Sequence, residues 1–179
     1  PSPARPARPA VRFTVAAAIP KGPRADWMVE KLSELGAAAF IPLVAARSVV
    51  VPEGVSKVQR WHRLAEESAK QSRRPGVMRI EPAMGAIDCA RRFAPGGWWL
   101  STAAGALPAG EAAARIAGDL VLMVGPEGGW TQEEEAAFAQ AGLTPVSLGT
   151  TILRVETAAI AAAAVVSALA PRGTEEEPS

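Results

Sequence analysis

Two short stretches concentrate the residues able to do chemistry. The first is Gly125-Pro126-Glu127-Gly128-Gly129, directly after the apolar run LVLMV (120–124). The second is LGTTILRVETA (148–158), where Arg154 and Glu156 stand in apolar surroundings. Three glycines in five residues permit positive φ and let a ligand approach bare backbone. A Gly-rich turn between a buried strand and a helix start is an arrangement used for phosphate. The residues refuse its common forms, since neither Gly-Lys-Ser/Thr nor GxGxxG is present. Glu127, followed by Glu133, Glu134 and Glu135, would repel a phosphate. The loop suits a ligand that offers donors or positive charge; the bland alternative is a tight structural turn. Arg154 and Glu156 also admit two readings. They form an ion pair, or Arg154 points at a polyanionic substrate or stabilises developing charge.

Other chemistry-bearing residues are sparse. His62 follows Trp61 with no second His or Cys near it in sequence, so no metal site is expected. Cys89 is the single cysteine, which excludes an internal disulfide and any multi-Cys zinc site. It reads as an inert buried thiol. Trp98 and Trp99 read as core, whereas Trp130, next to Gly129, is placed to wall a pocket. No Ser/His/Asp set or paired-carboxylate hydrolase pattern stands out.

The surrounding elements follow from periodicity. Candidate strands are Val11–Ile19, Ala38–Val44, Ser48–Val51, Val77–Ile80, Gly96–Ser101, Leu120–Val124 and one more that ends before the turn at Gly149. Pro42 argues for an edge or an irregular end. Asp26–Leu35 places Met28, Val29, Leu32 and Leu35 at helical spacing and closes on Gly36 as a C′ residue. Val55–Ser72 is a long amphipathic helix, Met84–Phe93 and Glu111–Ile116 are shorter ones. Thr131 with Glu134 is a capping box, so a helix starts near Gln132. The last helix, about Glu156–Ala170, is interrupted only by Thr157 and Ser167. A helix apolar on every face must be buried on every face, which suggests a partner subunit as well as a core. Strands alternating with helices predict an α/β domain with a mostly parallel sheet, and ligands then bind beyond the carboxyl ends of the strands.

At 179 residues one domain is expected. Residues 1–10 read as a Pro/Ala/Arg-rich linker that something once preceded, residues 11–171 as the domain, and 172–179 as an acidic flexible tail. No apolar run is long enough to cross a bilayer, and no signal peptide is visible, so no membrane is expected and a cytoplasmic location fits. The net charge of +1 hides an asymmetry. Residues 1–92 carry 16 Lys and Arg against 8 Asp and Glu, and residues 93–179 carry 3 against 10. Such a split marks a basic face for a polyanion, or chance clustering on solvated helices.

GPEGG before a capped acidic helix, then SLG-xx-ILRVETA, resembles the RsmE family of ribosomal RNA methyltransferases in the SPOUT superfamily. Earlier stretches are similar in the same order: Pro20-Lys21-Gly22 with Arg24 and Trp27, Glu30-Lys31 then Glu34-Leu35-Gly36, Arg47-Ser48-Val49-Val50, Arg60-Trp61, and Gln71-Ser72 with Arg74. The resemblance spans about residues 11–170. It implies a SPOUT-type, mostly parallel α/β sheet flanked by helices with a C-terminal trefoil knot, and a homodimer through the knot. The cofactor would be S-adenosyl-L-methionine and the substrate 16S rRNA in the small ribosomal subunit, methylated at N3 of one uridine. The resemblance places the cofactor against Gly125, Pro126, Glu127, Gly128 and Gly129. From the second stretch it adds Leu148, Gly149, Ile152, Leu153, Arg154, Thr157 and Ala158, and the strand end Leu100, Ser101 and Thr102. Arg154 would be catalytic, stabilising the developing uridine anion or its phosphate. Lys21, Arg24, Arg47, Arg73 and Arg74 would hold RNA backbone. The alternatives are a SPOUT 2′-O-ribose methyltransferase and a non-catalytic dimeric RNA-binding module.

There are departures from the family pattern. The family normally carries a PUA-like β-barrel before this domain, so the chain is expected to be a truncated or minimal form. The usual Glu-Gln-Ser-Gly-Arg reads Lys70-Gln71-Ser72-Arg73-Arg74 here, with Arg in place of Gly. Val155 replaces a common Thr.

Overall fold

Side chains alternate across the strands and thereby divide the core into two layers, one on each side of a single parallel sheet. The structure is a computed structural model that describes residues 11–49 and 55–169. The expected linker, the expected tail, and Val50 and Val51 lie outside the described residues. In chain order the elements are β1 (Phe13–Ala17), α1 (Arg24–Glu34), β2 (Ala39–Val44), α2 (Val55–Gln71), β3 (Arg79–Ile80), β4 (Met84–Gly85) and α3 (Ala86–Phe93). There follow β5 (Gly97–Leu100), β6 (Leu107–Pro108), α4 (Ala109–Ala113), β7 (Leu120–Val124), α5 (Gln132–Gln140), β8 (Thr144–Ser147) and α6 (Val155–Leu169).

The sheet runs β3-β2-β1-β7-β5-β8-β6, with β4 pairing β2 beyond the end of β3. Every pairing is parallel. Phe13, Val15, Leu120, Leu122 and Trp98 face a layer formed by α1, α2, α4 and α6. Ala16, Val121, Met123 and Trp99 face α3 and α5. The strand order has a functional consequence. β7 lies between β1 and β5, and β8 between β5 and β6, so the carboxyl ends of β7, β5 and β8 are neighbours. Gly97 allows this closeness: a Cβ there would sit 2.5 Å from Val121 Cγ1.

Two expectations are corrected. Pro42 is not on an edge, because β2 has partners on both sides. It falls in the gap between the Phe40–Ile80 and Leu43–Met84 pairings, where that ladder breaks and a missing N–H costs little. Ser48–Val49 is no strand; the chain turns there, with Ser48 N–H donating to Ala45 O at 3.0 Å and Ser48 Oγ accepting from Ala45 N at 2.9 Å. Within this chain the apolar last helix is buried along one side. Val155, Ala158, Ala159, Ala162, Ala163 and Val166 are buried, while Ile160, Ala161, Ala164 and Val165 are only half-buried.

The capping box is present as read from the sequence, with Thr131 as N-cap of α5. Gly36 closes α1 at φ 95°. Arg74 completes that end. Its Nη1 donates to Ser33 O at 3.0 Å and Nη2 to Gly36 O at 3.1 Å. A cation there satisfies carbonyls that the helix leaves unpaired and complements its dipole. Arg74 was expected against RNA; both its terminal nitrogens are committed inside the fold. Burial lowers the pKa of its guanidinium from the ordinary value. Arg73 just before it adopts φ 55°, the left-handed region where a glycine would be at ease. The Arg-for-Gly departure therefore falls on the one described non-glycine residue with positive φ.

Left-handed backbone costs an L-residue roughly 1–2 kcal/mol, and glycine's extra unfolded-state entropy offsets about 0.5–1 of it. Arg73→Gly is expected to raise the unfolding free energy by about 0.5–1 kcal/mol, measured by urea denaturation. A loss of stability would mean that the Arg73 side chain makes a compensating contact.

Candidate active site

A cavity of about 520 Å³ opens where β5, β7 and β8 end, and loops from all three strands line it. From β5 come Leu100, Ser101 and Thr102; from β7 come Gly125, Pro126, Glu127, Gly128 and Gly129. The segment after β8 contributes Leu148, Gly149, Ile152, Leu153 and Arg154, and α6 contributes Ala158. These sequence-predicted residues therefore meet in one place. Thr157 does not line the cavity; it is exposed on the first turn of α6, while Val155 and Ala158 turn inward. The cavity also takes in Trp130, Glu135, Val146 and Thr151. Only Trp130 had a signal in the sequence, its place beside Gly129. Glu135 sits in an acidic run that reads equally well as a solvated helix start.

The loop after β7 holds its shape through Trp130. The indole lies against the Gly125 backbone so closely that a Cβ on Gly125 would be 2.8 Å from Trp130 Cε2. Trp130 Nε1 donates to Leu100 O at 2.9 Å, which joins the exit of β7 to the exit of β5. Its other side packs edge-on against Phe138 of α5, with ring centroids 4.9 Å apart. Gly129 takes φ 69° and Gly149 φ 151°, both outside the comfortable range of other residues. Glu134 is 4% exposed and holds the loop's far end. Its Oε2 accepts from Thr131 N–H at 2.9 Å and from the Thr131 hydroxyl at 3.2 Å, and its Oε1 accepts from Ala46 N–H at 2.8 Å.

The charged residues sort into distinct tasks. Arg154 and Glu156 do not pair. Glu156 is buried and takes Arg24 Nη1 at 3.4 Å instead; its Oε2 has no hydrogen-bond partner among the described residues. Arg24 also donates from Nε to Lys21 O at 3.3 Å, so it is anchored at both ends yet half-exposed. Arg154 is exposed at the cavity wall and has no ion pair among the described residues. It immediately precedes α6, where the helix dipole disfavours a cation. Arg47 donates from Nη1 to Gly128 O at 2.8 Å and to Trp130 O at 3.2 Å. Lys21 and Arg73 are exposed. Among the described residues no three His, Cys, Asp or Glu groups cluster as metal ligands, and no helix is long and apolar enough to cross a membrane.

An open, bare-backbone cavity of this size suits a small organic cofactor. Glu127 and Glu135 at its wall favour a ligand bearing positive charge or donors. Val146, Leu148 and Leu153 supply apolar surface.

Comparison with known proteins is consistent with this geometry. Residues 7–167 match the family model for an RNA methyltransferase domain. The chain is 38% identical to ribosomal RNA small subunit methyltransferase E of Mycobacterium bovis over 93% of this chain and 66% of that protein. For the protein of the same name from Bacillus subtilis the figures are 34%, 88% and 66%. The chain thus spans 66% of the length of these relatives. Among solved structures it is similar to a ribosomal RNA small subunit methyltransferase E from Neisseria gonorrhoeae bound to S-adenosyl methionine. That similarity has a TM-score of 0.78 at 31% identity over 89% of this chain and 67% of that one. A methyltransferase from Legionella pneumophila, in complex with the bound cofactor SAM, gives a TM-score of 0.81 at 28% identity over 89% and 66%.

Gly125→Ala is expected to displace the Trp130 indole and cost about 1–3 kcal/mol of stability. Chemical denaturation measures the loss, and near-UV circular dichroism should register the moved indole; an unchanged spectrum would mean the loop absorbs the methyl elsewhere. Cys89 gives a separate test. Burial pushes its thiol up to about 12, so almost no thiolate exists at pH 8. Ellman's reagent should leave the native chain unmodified over minutes and react at once in denaturant.

Proposed function

The chain belongs to the RNA methyltransferase domain family, and on that premise we propose that it methylates N3 of a specific uridine in 16S rRNA with S-adenosyl-L-methionine. The observation that carries this reading is the cavity at the ends of β5, β7 and β8, where glycine backbone, apolar side chains and carboxylates converge. Those residues fit the cofactor. Its adenine and its cationic groups offer donors, and Gly125–Gly129 and Leu148–Leu153 offer carbonyls and close approach. When bound, S-adenosyl-L-methionine supplies a methyl group on a sulfonium.

The chain's own contribution is alignment and electrostatics. Holding two reactants in line supplies a large part of such a rate. Loops tied to strand ends by Trp130 and Glu134 are stiff enough to do so. A uridine must lose its N3 proton, and negative charge then spreads over the ring. Arg154 is at the cavity wall with no ion pair among the described residues, so it stabilises that charge. A base stacked in folded rRNA has to swing out to reach the cavity. Exposed Lys21 and Arg73, with the anchored Arg24, hold the RNA backbone.

The same reading includes a homodimer and a trefoil knot, with α6 threaded through the preceding loop. What supports the knot is the late insertion of β7 and β8 between strands already in place. What supports the dimer is the half-buried apolar strip Ile160, Ala161, Ala164 and Val165 on α6. A second copy seated there would complete the burial that the composition of α6 demands. A cytoplasmic location goes with a ribosomal substrate.

Arg154→Ala should lower the single-turnover rate on small subunits lacking the mark by about 10²–10³-fold, with cofactor affinity changed less than about threefold. Nucleoside mass spectrometry of the wild-type product should find 3-methyluridine. A full-rate variant would remove Arg154 from the mechanism, and a ribose-methylated product would replace the N3 assignment.

A further inference from the structure

We infer that Arg47 is a positioning residue for the cofactor loop, acting as a clip on Gly128 and Trp130, and is not a contact to RNA backbone. The inference rests on S-adenosyl-L-methionine as the ligand of the cavity. Arg47 follows β2, and β1 separates β2 from β7 in the sheet. The turn after β2 and the loop after β7 nonetheless touch. Nη1 of Arg47 donates to the carbonyls of Gly128 and Trp130 at 2.8 and 3.2 Å. The aliphatic stem lies on the Gly128 backbone, where a glycine Cβ would be 3.1 Å from Arg47 Cβ and 3.4 Å from Cδ. A side chain at 128 would push the Arg47 stem back by a few tenths of an ångström.

The turn that carries Arg47 is itself fixed. Ala45 and Ser48 close it with two hydrogen bonds. Ala46 N–H donates to the buried Glu134, whose other oxygen accepts from Thr131. Arg47 therefore presses on the loop from a rigid base, and the loop is gripped at Gly128, Trp130 and Thr131. Without a clip, a loop with three glycines in five residues would sample many conformations and lose them on binding. A guanidinium whose Nη1 bridges two loop carbonyls limits that sampling before the ligand arrives. An arginine held this way contributes to cofactor affinity. A phosphate contact would contribute instead to the salt dependence of RNA binding.

The test uses the full chain as wild type, Arg47→Ala, Arg47→Met and Arg47→Lys. Met keeps the stem on Gly128 and removes the donors; Lys restores one. Calorimetric titration with S-adenosyl-L-methionine should give a Kd about tenfold weaker for Ala and Met, partly recovered by Lys. In turnover on small subunits, KM for the cofactor should rise while kcat at saturation stays within about twofold. Filter binding of 16S rRNA without cofactor, across a salt series, should give the wild-type slope for all four. Unchanged cofactor affinity in both Ala and Met overturns the clip. So does unchanged cofactor affinity with a salt slope lowered by about one, which returns Arg47 to RNA. A wild-type chain that binds no S-adenosyl-L-methionine counts against the function proposed above, and this outcome is distinct from either of those.

Discussion

The contact between the Trp130 indole and the bare backbone of Gly125 is the joint on which the site depends. It exists only because residue 125 has no Cβ, and it turns the indole so that Nε1 reaches Leu100 O. β5 and β7 are already paired through Gly97, Trp98 and Trp99. The indole extends their association past the end of the hydrogen-bonded ladder, into the loops that line the cavity. Phe138 backs the ring from α5, so the same contact fixes where the helix after the loop can lie. Loosening it would alter three walls together: the β5 exit, the Gly125–Gly129 loop and the start of α5.

Around that joint the fold uses parallel strands to collect ends. A parallel sheet must send each connection back across a face, and β7 and β8 take slots between strands laid down earlier. Chain segments far apart in sequence therefore finish side by side at one edge of the core. α6 then follows the β8 loop directly and turns Val155 and Ala158 into the cavity. Its buried Glu156 reaches the other way, to Arg24 at the start of α1. The first turn of α6 thus connects the cavity wall to the surface where a basic α1 terminus stands.

What the sequence made legible was local. LVLMV (120–124) is apolar throughout because β7 is covered on both faces, and its ends match the strand residue for residue. The Thr131 capping box needs only a spacing of three, and it is found as read. The cavity residues as a set follow mainly from family resemblance, since the glycine-rich loop alone leans towards a binding site without naming its ligand, and Arg154 with Glu156 alone leaves an ion pair and a functional role equally open. The rest was hidden because it depends on distance in the chain. Ala46 and Glu134 are 88 positions apart and Arg47 and Gly128 are 81, so no window of sequence contains either pair. Pro42 misled for a related reason: a proline in an interior strand is acceptable only where the neighbouring ladder is broken, and that break is made by β3 and β4.

The arginines carry the same point into electrostatics. Counting charge along the chain assigns the basic half to a polyanion, as though every guanidinium faced solvent. Arg74 instead closes the end of α1, Arg47 holds the Gly128 and Trp130 carbonyls, and Arg24 is tied to Glu156 and Lys21 O. Several N–H donors in a planar fork suit arginine to gathering carbonyls that secondary structure leaves unpaired, a task a lysine does poorly. Part of the positive charge is therefore spent on internal architecture, and the field offered to RNA is narrower than the count implies. Of the basic residues expected against RNA, Lys21, Arg73 and the half-exposed Arg24 remain outward, and Arg154 stands at the cavity wall. Among the described residues that line the cavity Arg154 is the one cation, so it is the positive charge a flipped base would meet there.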